Sequence, residues 1–188
     1  MKPILSDLGL VTVGDERAWA VTSPDDRYRY MLGRMWDDYF DDRSLPRPLW
    51  IFGMLNPSKA RIKDDPTIRK CAGFAKRGGA GGFIVVNTMA YSETHPRKLV
   101  ELYKQGVNVR GEHNAAAVQW ALNTNIGRRF IAAWGRIPAK LKNLAQPQMV
   151  QFLCSRPDCF GRNDDGSPKH PLMLGYDTPI VGYHEARQ

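Results

Sequence analysis

The feature that most constrains this chain is the run Leu49-Trp50-Ile51-Phe52-Gly53-Met54-Leu55, which holds no polar side chain. A run of this length fits a strand buried on both faces, as the central strands of parallel sheets are. It stops at Asn56-Pro57-Ser58, where proline, lacking an N–H, cannot extend a ladder. Such a strand needs a covering layer on each side, and in α/β proteins helices supply both.

The segments that follow predict those layers. Asp65-Pro66-Thr67 opens a helix, with Asp65 as N-cap and Pro66 at the first helical position. Ile68, Cys71, Ala72 and Ala75 recur at helical spacing until glycines at 78–82 end the helix. Residues 83–86 read as a second buried strand ending at Asn87, and residues 99–103 as a short helix after His95-Pro96. A longer helix is expected over 112–122, a third strand over 130–134, a helix over 138–144 and a fourth strand over 150–154. Upstream, residues 19–22 read as a short strand ended by Ser23-Pro24-Asp25-Asp26. Residues 27–32 alternate basic with aromatic or apolar side chains, as a half-buried strand does, and residues 37–42 are acidic and aromatic. Together these predict one α/β domain over residues 1–188, with 1–27 as an N-terminal extension or edge strand. Its expected architecture is a three-layer α/β/α arrangement around a short, mainly parallel sheet.

The bulk properties narrow the partners. A length of 188 residues with 43% hydrophobic and 24% charged residues is ordinary for one globular domain. No apolar run approaches the ~20 residues of a membrane helix, and the first residues lack the apolar stretch of a secretory signal. A cytoplasmic location and no membrane partner are therefore expected. Three cysteines form no disulfide framework. Cys154 and Cys159 could join a metal site, but few other ligands lie near, so no metal or other cofactor is expected. The net charge of +8 favours a polyanionic partner, nucleic acid or a nucleotide. Oligomeric state leaves no mark in the sequence.

Open α/β sheets bind ligands beyond the carboxyl ends of their strands. The polar groups expected there are Asn56-Pro57-Ser58, Asn87-Thr88, Gly135-Arg136 and, after a long loop, His170-Pro171-Leu172. Turn formation and capping explain an Asn-Pro or a strand-end Asn equally well when each is taken alone. Their order and placement together point to one site.

In these motifs the chain resembles the uracil-DNA glycosylase superfamily. A Gly-x-Asn-Pro type of turn after the first strand is matched by Gly53-Met54-Leu55-Asn56-Pro57-Ser58, one residue longer and with Ser58 in place of glycine. An apolar strand ending in asparagine is matched by Val85-Val86-Asn87, a strand before a small-residue turn by Ile131-Ala132-Ala133-Trp134-Gly135, and a His-Pro motif by His170-Pro171-Leu172. A closer resemblance, over nearly the whole chain, is to the family called domain of unknown function 1643. Its pattern is matched by Arg27-Tyr28-Arg29-Tyr30, Leu55-Asn56-Pro57-Ser58, Asp64-Asp65-Pro66-Thr67, Val86-Asn87 with Ala90, and His170-Pro171-Leu172.

The first resemblance implies a uracil-DNA glycosylase-like fold and site. Asn56 would orient water, Asn87 and Ser58 would bind the base, and His170 would stabilise the departing base. A carboxamide cannot accept a proton near neutral pH, so Asp64 or Asp65 is a candidate base, Asp65 being equally a helix cap. Phe74, Tyr91 or Trp134 could stack on a base or pack in the core, and Leu172-Met173-Leu174 could wedge into a duplex. Lys59, Arg61, Lys63 and Lys169 are candidate phosphate contacts, with Arg69, Lys70, Lys76 and Arg77 on the following helix. The expected function is a nucleobase-processing enzyme, most concretely hydrolysis of the N-glycosidic bond of an unusual or modified base in DNA. The alternatives are a transferase modifying a thymine-derived base in phage DNA and a non-catalytic binder of nucleic acid or a base.

Overall fold

A computed structural model describes residues 6–36, 47–58, 61–123 and 128–185. The apolar run forms β4 (Leu49–Met54), all six residues buried, and the next forms β5 (Gly82–Asn87), buried likewise. The two pair in parallel, with Met54 opposite Asn87, so their polar ends lie side by side. On the other side β4 pairs in parallel with β6 (Arg129–Ala132), which pairs in parallel with β7 (Asp158–Cys159). In chain order these parallel strands run second, first, third, fourth, which places a reversal of strand order between β4 and β6.

Side chains of these strands alternate between two apolar clusters. Leu49, Ile51, Ile84, Val86, Phe130 and Ala132 join one, which includes buried residues of α2 (Pro96–Lys104), α3 (Asn114–Asn123) and α4 (Lys142–Cys154). Trp50, Phe52, Phe83, Val85 and Ile131 join the other, with Ile68, Cys71, Phe74 and Ala75 of α1 (Pro66–Arg77). The sheet core is thus covered on both faces, which is why its strands read as continuous apolar runs.

The expectation of a mainly parallel sheet is corrected. The sheet has eight strands and is mixed, in the order β1-β2-β3-β5-β4-β6-β7-β8. The stretch before β4 forms an antiparallel meander of β1 (Val11–Gly14), β2 (Ala18–Thr22) and β3 (Arg29–Met35), and β3 pairs antiparallel with β5. The strand β8 (Val181–Gly182) pairs antiparallel with β7. The short connections from β1 to β2 and from β2 to β3 permit antiparallel neighbours where a parallel pair would need a crossover. Residues 19–22, read as a short strand within an N-terminal extension or edge strand, lie in β2 of this sheet, with β1 at its edge, and β3, between β2 and β5, is buried at every position. Residues 37–42 lie outside the described residues.

The expected strand over 150–154 is also corrected, being the last turn of α4. Its side chains sort as on a helix: Phe152 is fully buried against Phe130 and Trp134, whereas Val150 is 50% exposed. The fourth parallel strand is instead the two-residue β7.

Gly33 lies opposite Trp19 across the β2–β3 ladder, and a Cβ there would meet the indole at 2.2 Å. Trp19 is fully buried, so its ring has no open space to move into. Gly33→Ala is expected to lower stability by about 1–3 kcal/mol. Thermal unfolding followed by circular dichroism checks this, each kcal/mol lowering the midpoint by about 2–4 °C in a chain of this size.

Candidate functional site

The carboxyl ends of β4, β5 and β6 open into one cavity of about 770 Å³. Asn56, Asn87 and His170, from three distant stretches of chain, all line it, together with Ser58, Asp65 and Lys63. Two hydrogen bonds continue the β4–β5 pairing past the strand ends, from Thr88 N–H to the Met54 carbonyl at 2.8 Å and from Met89 N–H to Leu55 at 2.9 Å. They hold the turns carrying Asn56 and Asn87 together.

Asn56 is oriented by its amide. Nδ2 donates to the Glu93 carbonyl at 2.5 Å and to the Pro57 carbonyl at 3.2 Å, leaving Oδ1 as its acceptor. Asn87 is wholly buried, and neither Oδ1 nor Nδ2 has a hydrogen-bond partner among the described residues. Its main chain is held, because the buried Asn114 donates from Nδ2 to the carbonyls of Asn87 at 3.0 Å and Thr88 at 3.1 Å. Buried polar atoms without partners are uncommon in folded proteins, and this carboxamide, unpaired among the described residues, stands in the cavity wall.

His170 is half-buried and follows the chain out of β7. Its Nδ1 accepts the Leu172 N–H at 3.3 Å, so the neutral ring carries its proton on Nε2. Burial pushes its ionisation below the ordinary value, with the Asp65 carboxylate opposing. Gly135, at φ +68°, sits beside it, and a Cβ there would stand 3.3 Å from the His170 Cβ. Glycine takes that left-handed backbone without strain and leaves the histidine room.

Asp65 caps α1, accepting the Ile68 N–H at 2.8 Å, and also accepts from the Ser58 hydroxyl. It lines the cavity as well, so its two expected roles fall on one side chain that is already hydrogen-bonded. Asp64 is bound by Arg34, whose Nε donates to it at 2.8 Å while Nη2 donates to the carbonyls of Arg61 and Ile62. The loop leading into α1 is thereby anchored on β3.

The remaining expected residues lie elsewhere. Phe74 packs in the core, its ring 4.3 Å from that of Phe160, and Tyr91 meets Tyr28 edge-on at 5.3 Å. Neither lines the cavity, whereas Trp134 does. Arg61 pairs with Asp26 at 2.8 Å, and Lys169 is exposed outside the cavity wall. Lys59 lies outside the described residues. On α1, Arg69 donates to the Asp64 carbonyl, Lys70 and Arg77 lie over the Tyr176 ring, and Lys76 lies over Trp36.

Several lining residues were not expected as site residues, Arg29, Glu93 and Thr94 among them. Glu93 and Thr94 belong to the loop between β5 and α2 and carry no motif. Arg29 lay inside the Arg27-Tyr28-Arg29-Tyr30 match, the one signal that could have found it.

No curated protein and no solved structure matches the chain. A family model described as "Protein of unknown function (DUF1643)" matches residues 29–172. The match runs from Arg29 to Leu172, both in the cavity wall, and the chain belongs to that family.

Proposed function

We propose that the cavity receives a nucleobase and that the protein processes it, most concretely by hydrolysing the N-glycosidic bond of an unusual or modified base in DNA. The observation that carries this reading is the convergence of Asn56, Asn87 and His170 on one cavity, with the Asn87 carboxamide buried and unpaired among the described residues. A volume of about 770 Å³ is in the range of small-molecule sites and admits a base with its sugar. Asn87 offers one donor and one acceptor, matching adjacent groups on a pyrimidine edge. The same reading assigns the chain a uracil-DNA glycosylase-like, three-layer fold.

Chemically, the glycosidic bond breaks with its electron pair leaving on the base. The Nε2–H of neutral His170 donates to a base oxygen as negative charge develops there. Asn56 Oδ1 accepts a hydrogen bond from water and aims it at the sugar carbon. Water adds to that carbon, and the proton it releases neutralises the base. Met173, 89% exposed next to the cavity-lining Leu172, is an apolar tip suited to entering a base stack. The net charge of +8 supplies attraction to phosphate.

A second reading, a base binder without turnover, is favoured by the hydrogen bonds that already occupy Asp65. Oligonucleotides carrying uracil, hypoxanthine or modified pyrimidines separate the readings. Abasic sites are expected with at least one base, reduced on the order of 100-fold in Asn56→Ala and His170→Ala. A product of increased mass with its glycosidic bond intact assigns a transferase. Salt-dependent binding without turnover assigns a binder, and both outcomes overturn hydrolysis.

A further inference from the structure

One face of α1 is shaped around a single aromatic ring. Lys70, Gly73, Phe74 and Arg77 follow one another at helical spacing, so they share one side of the helix. The ring of Tyr176 lies on that side. It meets the Phe74 ring edge-on at 5.2 Å, with the Lys70 ammonium 4.3 Å and the Arg77 guanidinium 4.9 Å from its centroid. Cations at such distances are attracted to an aromatic ring. A Cβ on Gly73 would stand 2.4 Å from the Tyr176 ring, so any larger residue would make this seat too shallow. Glycine inside a helix weakens it, and the close approach of the ring is the packing reason for one here.

The seat holds the far end of the turn that carries His170. Upstream of that turn, the Lys169 N–H donates to the Gly161 carbonyl at 2.9 Å. Downstream, Lys70 Nζ donates to the Leu174 carbonyl, and Leu174 packs against the apolar cluster that includes Phe74. Between these ties the turn closes on itself. His170 Nδ1 accepts the Leu172 N–H, and the Pro171 carbonyl accepts the Leu174 N–H at 3.1 Å. Pro171 is buried, Leu172 lines the cavity and Met173 is the exposed tip. Gly135, beside His170, gives the histidine room and does not grip it. The placement of His170 therefore depends on how firmly the turn is fixed at Leu174 and Tyr176. The contacts with Phe74, Lys70 and Arg77 are made by the Tyr176 ring, which phenylalanine would keep.

We propose that Tyr176 is a positioning residue: seated over Gly73 on α1, it fixes the turn from His170 to Leu174, which keeps His170 Nδ1 on the Leu172 N–H and leaves Nε2–H as the donor to the cavity's ligand. This rests on the base reading above only for what that donor does.

Native-state hydrogen exchange and nitrogen NMR of the neutral His170 ring, on the full chain, compare the wild type with Tyr176→Ala, Tyr176→Phe and Gly73→Ala. In Tyr176→Ala the Leu172 N–H is expected to exchange on the order of 10- to 100-fold faster while the amides of β4 and β5 keep their wild-type rates. The His170 ring should gain the tautomer protonated on Nδ1. Tyr176→Phe should restore both readouts. Gly73→Ala favours the helix but displaces the ring, so it should move Leu172 and His170 in the same direction. Added to Tyr176→Ala, it should change neither readout further. Where the wild type turns over a base, kcat of Tyr176→Ala should fall about 10- to 100-fold with KM little changed. An unaltered Leu172 N–H and His170 ring overturn the proposal. So does faster exchange of every amide together, the mark of a residue that only supports the fold. A loosened turn with full kcat overturns the role of His170 in the base reading and leaves the seat standing. Absence of wild-type turnover on every base overturns hydrolysis, and the exchange and ring readouts still decide for or against Tyr176.

Discussion

Asn87→Leu is expected to make the protein more stable while lowering base processing on the order of 1000-fold. The side chain is wholly buried, and its two polar atoms lack partners among the described residues. Each such group costs about 1–3 kcal/mol when buried unpaired. Leucine has a similar size and shape with no group to satisfy, and the Asn87 carbonyl stays held by Asn114. The expected gain is about 1–3 kcal/mol, read as a midpoint higher by about 2–4 °C per kcal/mol. The two changes together make the test sharp, because a residue that only supports the fold would lose stability and activity in step. A variant that keeps near wild-type turnover removes Asn87 from the base edge. One that loses stability shows that the carboxamide contributes to the fold.

The sequence shows the middle of the sheet well and its margins poorly. β4, β5 and β6 are covered on both faces, so their side chains must be apolar throughout, and such runs are hard to mistake. Because those strands are parallel neighbours, the polar residues ending them had to come together, and Asn56 and Asn87 follow from that alone. β7 left no signal, since two residues, one of them Asp158, bury too little to need an apolar run. The apolar stretch at 150–154 was misleading because short runs fit a strand or a helix equally, and here the run continues α4 past the internal Pro147. Aromatic identity did not separate Phe74, which packs in the core, and Tyr91, which packs against it partly buried, from Trp134, which lines the cavity. Arg29 was hidden by a bulge in β3 opposite Val21 and Thr22, since one extra residue exchanges the faces of everything before it.

His170 carries the other large effect, and its hydrogen bonding fixes the direction of a pH dependence. Its Nδ1 is an acceptor for the Leu172 N–H, and a proton added there would set two donors against each other. Burial already disfavours the charged ring, Asp65 opposing, and lowers its ionisation below 6.5. The unfolded chain therefore binds the proton more readily than the folded one, and stability rises with pH through that interval. The contribution is complete above about 6.5 and is lost as pH falls from there toward the lowered folded value. His170→Gln keeps a donor but cannot titrate, so urea unfolding between pH 5 and 8 should lose the dependence that this histidine supplies. Its turnover should fall on the order of 100- to 1000-fold, because a glutamine amide is longer, less fixed and has no ring nitrogen to hold the Leu172 N–H. In the wild type, kcat/KM should stay level through pH 6.5 and fall only at more acid pH, where the Nε2–H donor becomes part of a cation and the loop is disturbed. A rate that instead rises as pH drops through 6.5 would mean that the imidazolium is the active form. The neutral-donor role assigned to His170 would then be wrong.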